Sequence, residues 1–97
     1  MSTKLAPIHP GEVLAEDFMA PRSLTSNQLS LELHVPANRI SDIIRGRRSI
    51  TAETALRLAR HFGTTPEFWV NLQAHYDLET TQDRDGKRIE REVSVAS

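Results

Sequence analysis

Residues 24–48 read LTSNQLSLELHVPANRISDIIRGRR, and the order of these residues fits two short helices joined by a tight turn. Thr25, Ser26, Asn27 and Gln28 have the pattern of a capping box: the threonine hydroxyl accepts from the Gln28 backbone N–H, and the glutamine side chain reaches back to the Thr25 amide. Leu29 and Leu33 then lie one turn apart with the small Ser30 beside them, a face that allows close helix packing. His34 and Val35 make the turn. Pro36 suits the first turn of a second helix, and Ile40, Ile43 and Ile44 follow at the spacing of a buried stripe.

At about 100° per residue, Asn38, Ser41, Asp42 and Arg45 fall together opposite those isoleucines, with Arg39 on the flank. Gly46 stops the helix by offering a left-handed residue without steric penalty, and Arg47 and Arg48 sit at the exit. A polar stripe alone would describe any solvated helix. Capping box, leucine pair, short turn, isoleucine triplet, glycine and arginine pair in one 25-residue window describe a helix-turn-helix, whose second helix enters a DNA groove.

The net charge of −1 argues against a DNA contact only until it is divided along the chain. Residues 1–35 carry two basic and four acidic groups, residues 36–60 six and two, and residues 61–97 four and seven, which gives −2, +4 and −3. Positive charge is therefore concentrated on the second helix and the segment after it, the footprint of a local basic patch. The 97 residues suit a single core, and the absence of cysteine rules out disulfides and thiolate metal sites. With no membrane-spanning stretch and no charged-then-apolar leader in the sequence, a soluble cytoplasmic protein is expected.

Outside the central window, residues 1–8 lack periodicity and read as an arm. His9, Pro10, Gly11 and Glu12 open a first helix with Val13, Leu14, Phe18 and Met19 on its apolar side and Pro21 at its end. Residues 51–62 form the clearest helix, capped by Thr51, closed by Gly63, and striped by Ala55, Leu58, Ala59 and Phe62, with Arg57 and Arg60 off the stripe and facing solvent or a partner. Thr65, Pro66 and Glu67 begin another helix carrying Phe68, Trp69, Leu72, His75 and Tyr76. Part of that stripe closes the core, and Trp69, Leu72 and Tyr76 are candidates for a dimer face. Residues 82–97 are charged, contain Asp85-Gly86, and read as a flexible tail, with a short partner-ordered strand over residues 88–95 as the alternative.

The segments HPGEVLAEDF at 9–18, GRRSITAETALRLARHFGT at 46–64 and PEFWVNLQAHYDLE at 66–79, together with the helix-turn-helix, resemble the HigA/VapI group of antitoxins within the XRE-type helix-turn-helix superfamily. The resemblance covers residues 9–78. It implies an all-α, five-helix domain of the phage-repressor (XRE/Cro) type over residues 9–81, which dimerises, represses its own operon from a near-palindromic operator in double-stranded DNA, and neutralises a HigB-type toxin, a RelE-fold ribonuclease acting on messenger RNA. Carried across position by position, Thr25 and Ser26 would contact phosphates. Ala37, Asn38, Arg39, Ser41 and Asp42 would read bases, and Arg45, Arg47 and Arg48 would grip the backbone. The helical wheel agrees except at Ala37, which falls beside Ile44 and could offer only a methyl contact to thymine. The turn also departs from the group, placing His34 where many relatives have glycine, so some strain is expected there.

Catalysis finds no support in the residue pattern. Glu12, Glu16 and Asp17 form a solvated helix face. His61 and His75 occupy different helices without a HExxH pattern, and neither a phosphate-binding glycine loop nor a nucleophile motif is present. No cofactor or metal is expected. A solitary XRE-type regulator without a toxin partner is the alternative reading.

Overall fold

The computed structural model describes residues 6–96, so residues 1–5 of the expected arm and residue 97 lie outside it; residues 6–8 carry no helix or strand. Five helical segments follow in order. The first, α1, covers residues 10–22 and changes pitch along its length: α-helical over Pro10–Val13, π-helical over Leu14–Met19, and 3-10 over Ala20–Arg22. α2 is Ser26–Leu33, α3 Ala37–Ile44, α4 Ala52–Phe62 and α5 Pro66–Glu92.

The helix starts follow the sequence closely. His9 caps α1, its Nδ1 accepting from the Gly11 N–H at 2.9 Å, with Pro10 at the first position. At α2 both halves of the capping box form, Gln28 N–H to Thr25 Oγ1 at 3.1 Å and Thr25 N–H to Gln28 Oε1 at 2.9 Å. Thr51 and Thr65 cap α4 and α5 through the N–H groups of Thr54 and Phe68. Each such cap is worth about 1 kcal/mol.

The helix ends hold more variety. α3 closes in a Schellman motif, with Arg47 N–H reaching the Asp42 carbonyl at 2.8 Å around the left-handed Gly46. α2 closes the same way around His34, at φ 59°, Val35 N–H bonding the Ser30 carbonyl. The expected departure at the turn is thus real: a histidine holds the left-handed position. Ser23 does likewise after α1, at φ 54°. Pro21 does not end α1 as its position suggested. A proline lacks the N–H that continues an α-helix and its ring crowds the carbonyl four residues back; here the widened π turn precedes it and a 3-10 turn carries the chain on to Arg22.

The core gathers Leu14, Met19, Leu29, Leu33, Ile40, Ile43, Ile50, Ala55, Leu58, Ala59 and Trp69, with Phe18, Phe62 and Leu72 partly buried against it. Phe18 lies between Phe62, Phe68 and Trp69, with ring centroids 4.9–5.9 Å apart. Trp69 is fully buried and its indole N–H donates to Thr64 Oγ1 at 2.8 Å. This overturns its place on a dimer face. Leu72 and Tyr76 also turn inward, Leu72 onto the core and Tyr76 edge-on to the His9 ring at 4.8 Å.

Residues 82–92 are helical, contrary to the flexible tail expected from their composition, and no strand forms at 88–95. Asp85 meets both Arg84 and Arg88, and Arg88 meets Glu92, so charges that suggested solvation are spaced to support a helix. The projecting α5 makes the molecule long: its radius of gyration is 16.2 Å, against about 13 Å for a compact domain of this size.

Candidate nucleic-acid interface

α3 is seated by its buried side. Ile40 and Ile43 are fully buried and Ile44 packs against the core, so the face opposite them is fixed outward. Gly11 sets how closely α1 approaches the end of this helix. A Cβ on Gly11 would stand 1.9 Å from the Ile43 carbonyl oxygen, which leaves no room for any other residue. Ser30 closes the α2–α3 contact from the other side, its hydroxyl donating to the Ala37 carbonyl at 3.3 Å.

Of the residues proposed as base readers, Ala37 and Asn38 are exposed, while Ser41 and Asp42 are half-buried. The Ser41 hydroxyl donates to the Asn38 carbonyl at 3.1 Å, and Asp42 lies 4.0 Å from the Arg48 guanidinium. Arg45, Arg47 and Arg48 are exposed at and beyond the end of α3. Thr25 is exposed and Ser26 half-exposed at the start of α2, where unpaired helix N–H groups favour a phosphate. Arg39 is different. Its Nη1 donates to Thr54 Oγ1 at 3.2 Å and lies 3.5 Å from Glu53 Oε1, so the side chain leans on the first turn of α4.

Of three residues that support this surface, Gln73 and Thr54 were not singled out in the sequence. Arg57, expected to face solvent or a partner, instead donates from Nη1 to the Leu33 carbonyl at 2.9 Å and from Nη2 to Glu53 at 3.1 Å, tying α4 to the end of α2. The hydrogen bond from Arg57 and its positive charge also hold the Glu53 carboxyl below its ordinary range, with Arg39 adding to the effect. Gln73 is buried on α5, accepting from the Ile50 N–H at 2.8 Å and donating to Asp77 at 2.9 Å, and so fixes the segment after the arginine pair. Thr54 is buried beneath Arg39. Their partners, the Leu33 carbonyl, the Ile50 N–H and the Arg39 side chain, lie far off in sequence and leave no local pattern. A polar residue at a core register position, as Gln73 and Thr54 are, was the available signal.

His9 sits where α1 meets α5. Burial lowers its pKa from the ordinary value, with the nearby Asp77 carboxylate opposing the shift. Among the described residues no three His, Asp or Glu side chains cluster as a metal site would require, and no helix is long and apolar enough to cross a membrane.

The helix-turn-helix family matches residues 17–69, more than half the chain. The chain is 46% identical over 83 residues to the virulence-associated protein I of Dichelobacter nodosus, covering 84% of this chain and 77% of that one. In structure it is similar to an addiction module antidote protein of the HigA family from Coxiella burnetii, with a TM-score of 0.90 and 52% identity over 95% of this chain and all of the other. It is also similar to the Pseudomonas aeruginosa antitoxin HigA solved with the higBA promoter, with a TM-score of 0.91 and 41% identity, covering 94% of this chain and 99% of that one. With the helix-turn-helix, its basic exit and its scaffold all in place, the chain belongs to the HigA/VapI family of non-enzymatic antitoxins, built on an XRE-type helix-turn-helix domain.

Proposed function

We propose that this protein is an autorepressing antitoxin: a homodimer that binds a near-palindromic operator upstream of its own gene and neutralises a HigB-type, RelE-fold messenger RNA endonuclease. The observation that carries the DNA half is the outward face of α3. Asn38, Ser41, Asp42 and Arg45 stand over the fully buried Ile40 and Ile43, with Arg47 and Arg48 just past a glycine-closed end. Two copies on a two-fold would present these helices to successive major grooves about 34 Å apart. Similarity to an antitoxin solved with its promoter supports the same reading.

The dimer face lies further along α5 than Trp69. Leu78 and Ile89 are 59% and 44% exposed on one stripe of the projecting helix, flanking Gln82 and Gly86. A groove of about 420 Å³ runs beside that glycine, where a helix of a second copy can lie close. Leu78→Glu should shift the protein from dimer to monomer in analytical ultracentrifugation. A dimer unchanged by it would remove this face from consideration.

Fluorescence anisotropy on the DNA upstream of the gene tests the repressor. Arg47→Ala should weaken binding to every sequence and reduce the slope of log affinity against log salt by about 0.9. Binding no tighter to that DNA than to an unrelated duplex would sink the proposal. Co-expression with the neighbouring small gene tests the antitoxin half: growth should be rescued and the two products should co-purify. A neighbour that is harmless alone would leave a solitary regulator.

A further inference from the structure

Arg39 is anchored at one end only. Nη1 is engaged by Thr54 Oγ1 and lies near Glu53, and the side chain retains 22% exposure. Both anchors are themselves held. Thr54 is buried and receives the Thr51 hydroxyl at 3.3 Å. Glu53 is gripped from its other oxygen by Arg57, whose remaining Nη donates to the end of α2. A run of contacts thus joins the flank of α3 to the first turn of α4 and to α2.

A guanidinium is a rigid planar fork with five N–H donors, and its Nε–Nη2 edge can grip two acceptors at once. With Nη1 occupied, that edge is the one left over. Among the described residues no hydrogen bond is made by Nε or Nη2 of Arg39. Glu53 also offsets the positive charge of Arg39, which weakens its undirected attraction to phosphate while leaving the directional contact intact.

We propose that Thr54 and Glu53 are positioning residues for Arg39, holding Nη1 so that the Nε–Nη2 edge meets O6 and N7 of one guanine in each half-site. The inference rests on the DNA-reading function proposed above. It turns a flexible side chain into a pre-oriented reader, so discrimination at that base pair depends on residues that never touch DNA.

Selection from a randomised duplex library tests it, with each enriched base pair then scored by anisotropy on point-substituted duplexes. The wild-type protein should enrich a site in which one G·C pair per half-site is preferred about tenfold, and Arg39→Ala should lose that preference alone. Thr54→Val should lose preference at the same pair, Thr54→Ser should restore it, and the exposed Glu53→Ala should reduce it. Adding Thr54→Val or Glu53→Ala to Arg39→Ala should have no further effect at that pair. If Thr54→Val proves unstable, Glu53→Ala carries the same comparison. Preference retained in Thr54→Val, or in Glu53→Ala where Thr54→Val is unstable, but lost in Arg39→Ala would overturn the positioning role and leave DNA reading standing. A wild-type protein that enriches no sequence would overturn both.

Discussion

Gly11 and Gly86 occupy helices at opposite ends of the chain, and what lies against each one separates the two halves of the molecule. Gly11 is pressed onto the Ile43 carbonyl, whereas the nearest atom to a Cβ at Gly86 is that of Gln82, at 3.9 Å. The first half, from α1 to the start of α5, is held by burial and by polar groups that reach across the fold. The second, residues 82–92, is held by neighbouring charges on a single helix. Helices of the first kind stand or fall with the core, while one of the second kind opens locally without unfolding the rest.

Gly11→Ala should break the first half most severely. The Cβ meets backbone rather than a movable side chain, so α1 must withdraw from α3, and a loss of at least about 3 kcal/mol is expected in urea unfolding. A change under 1 kcal/mol would show the approach to be loose. Gln73→Met keeps the volume but removes the acceptor for the buried Ile50 N–H, which should lower stability by about 1–3 kcal/mol.

Gly86→Ala should act in the opposite direction. Alanine is favoured over glycine by about 1 kcal/mol within a helix, and a Cβ here would make only an ordinary contact with Gln82 at 3.9 Å. Amide exchange at residues 82–92 should therefore slow in the monomer, with the global unfolding midpoint nearly unchanged. Equal slowing throughout the chain would mean that the two halves unfold as one.

The smallest effect concerns pH and belongs to the first half. His9 has a folded-state pKa depressed by burial, so its contribution is complete above its ordinary pKa near 6.5 and is lost as pH falls through the lower folded value. Protonation at Nδ1 also ends its acceptance from Gly11. His9→Asn retains a capping side chain without the titration. It should flatten the decline in stability below about pH 6.5, measured by denaturant midpoints across that range. A decline as steep as wild type's would assign it to other groups.

Much of this division was readable before the structure. Threonine caps, the isoleucine triplet and Gly46 announce α2, α3 and α4 because they act within a few residues, and the structure places each where the spacing puts it. Trp69 was ambiguous because a helical stripe does not say which neighbour covers it. Residues 82–92 misled because exposed ion pairs, like solvated coil, are rich in charge; only their three- and four-residue spacing differs. The posture of Arg39 depends on Thr54, fifteen residues away, and no local pattern contains it. The outward face of α3 was thus legible as a set of positions, while the contacts that Arg39 makes with α4 required the folded chain.

The π turn in α1 gives that helix an unusual relation to insertion and deletion. Its i+5 bond, from the Ala20 N–H to the Ala15 carbonyl, accommodates one residue more than an α-helix would in the same span. Removing a single residue between Leu14 and Met19 would take up that extra residue and restore α-helical pitch with the following register nearly kept, whereas the same deletion in a regular α-helix would turn everything after it by about 100° around the axis. The irregular turn is therefore the part of α1 that absorbs a change of length, where a regular helix would pass it on to the core.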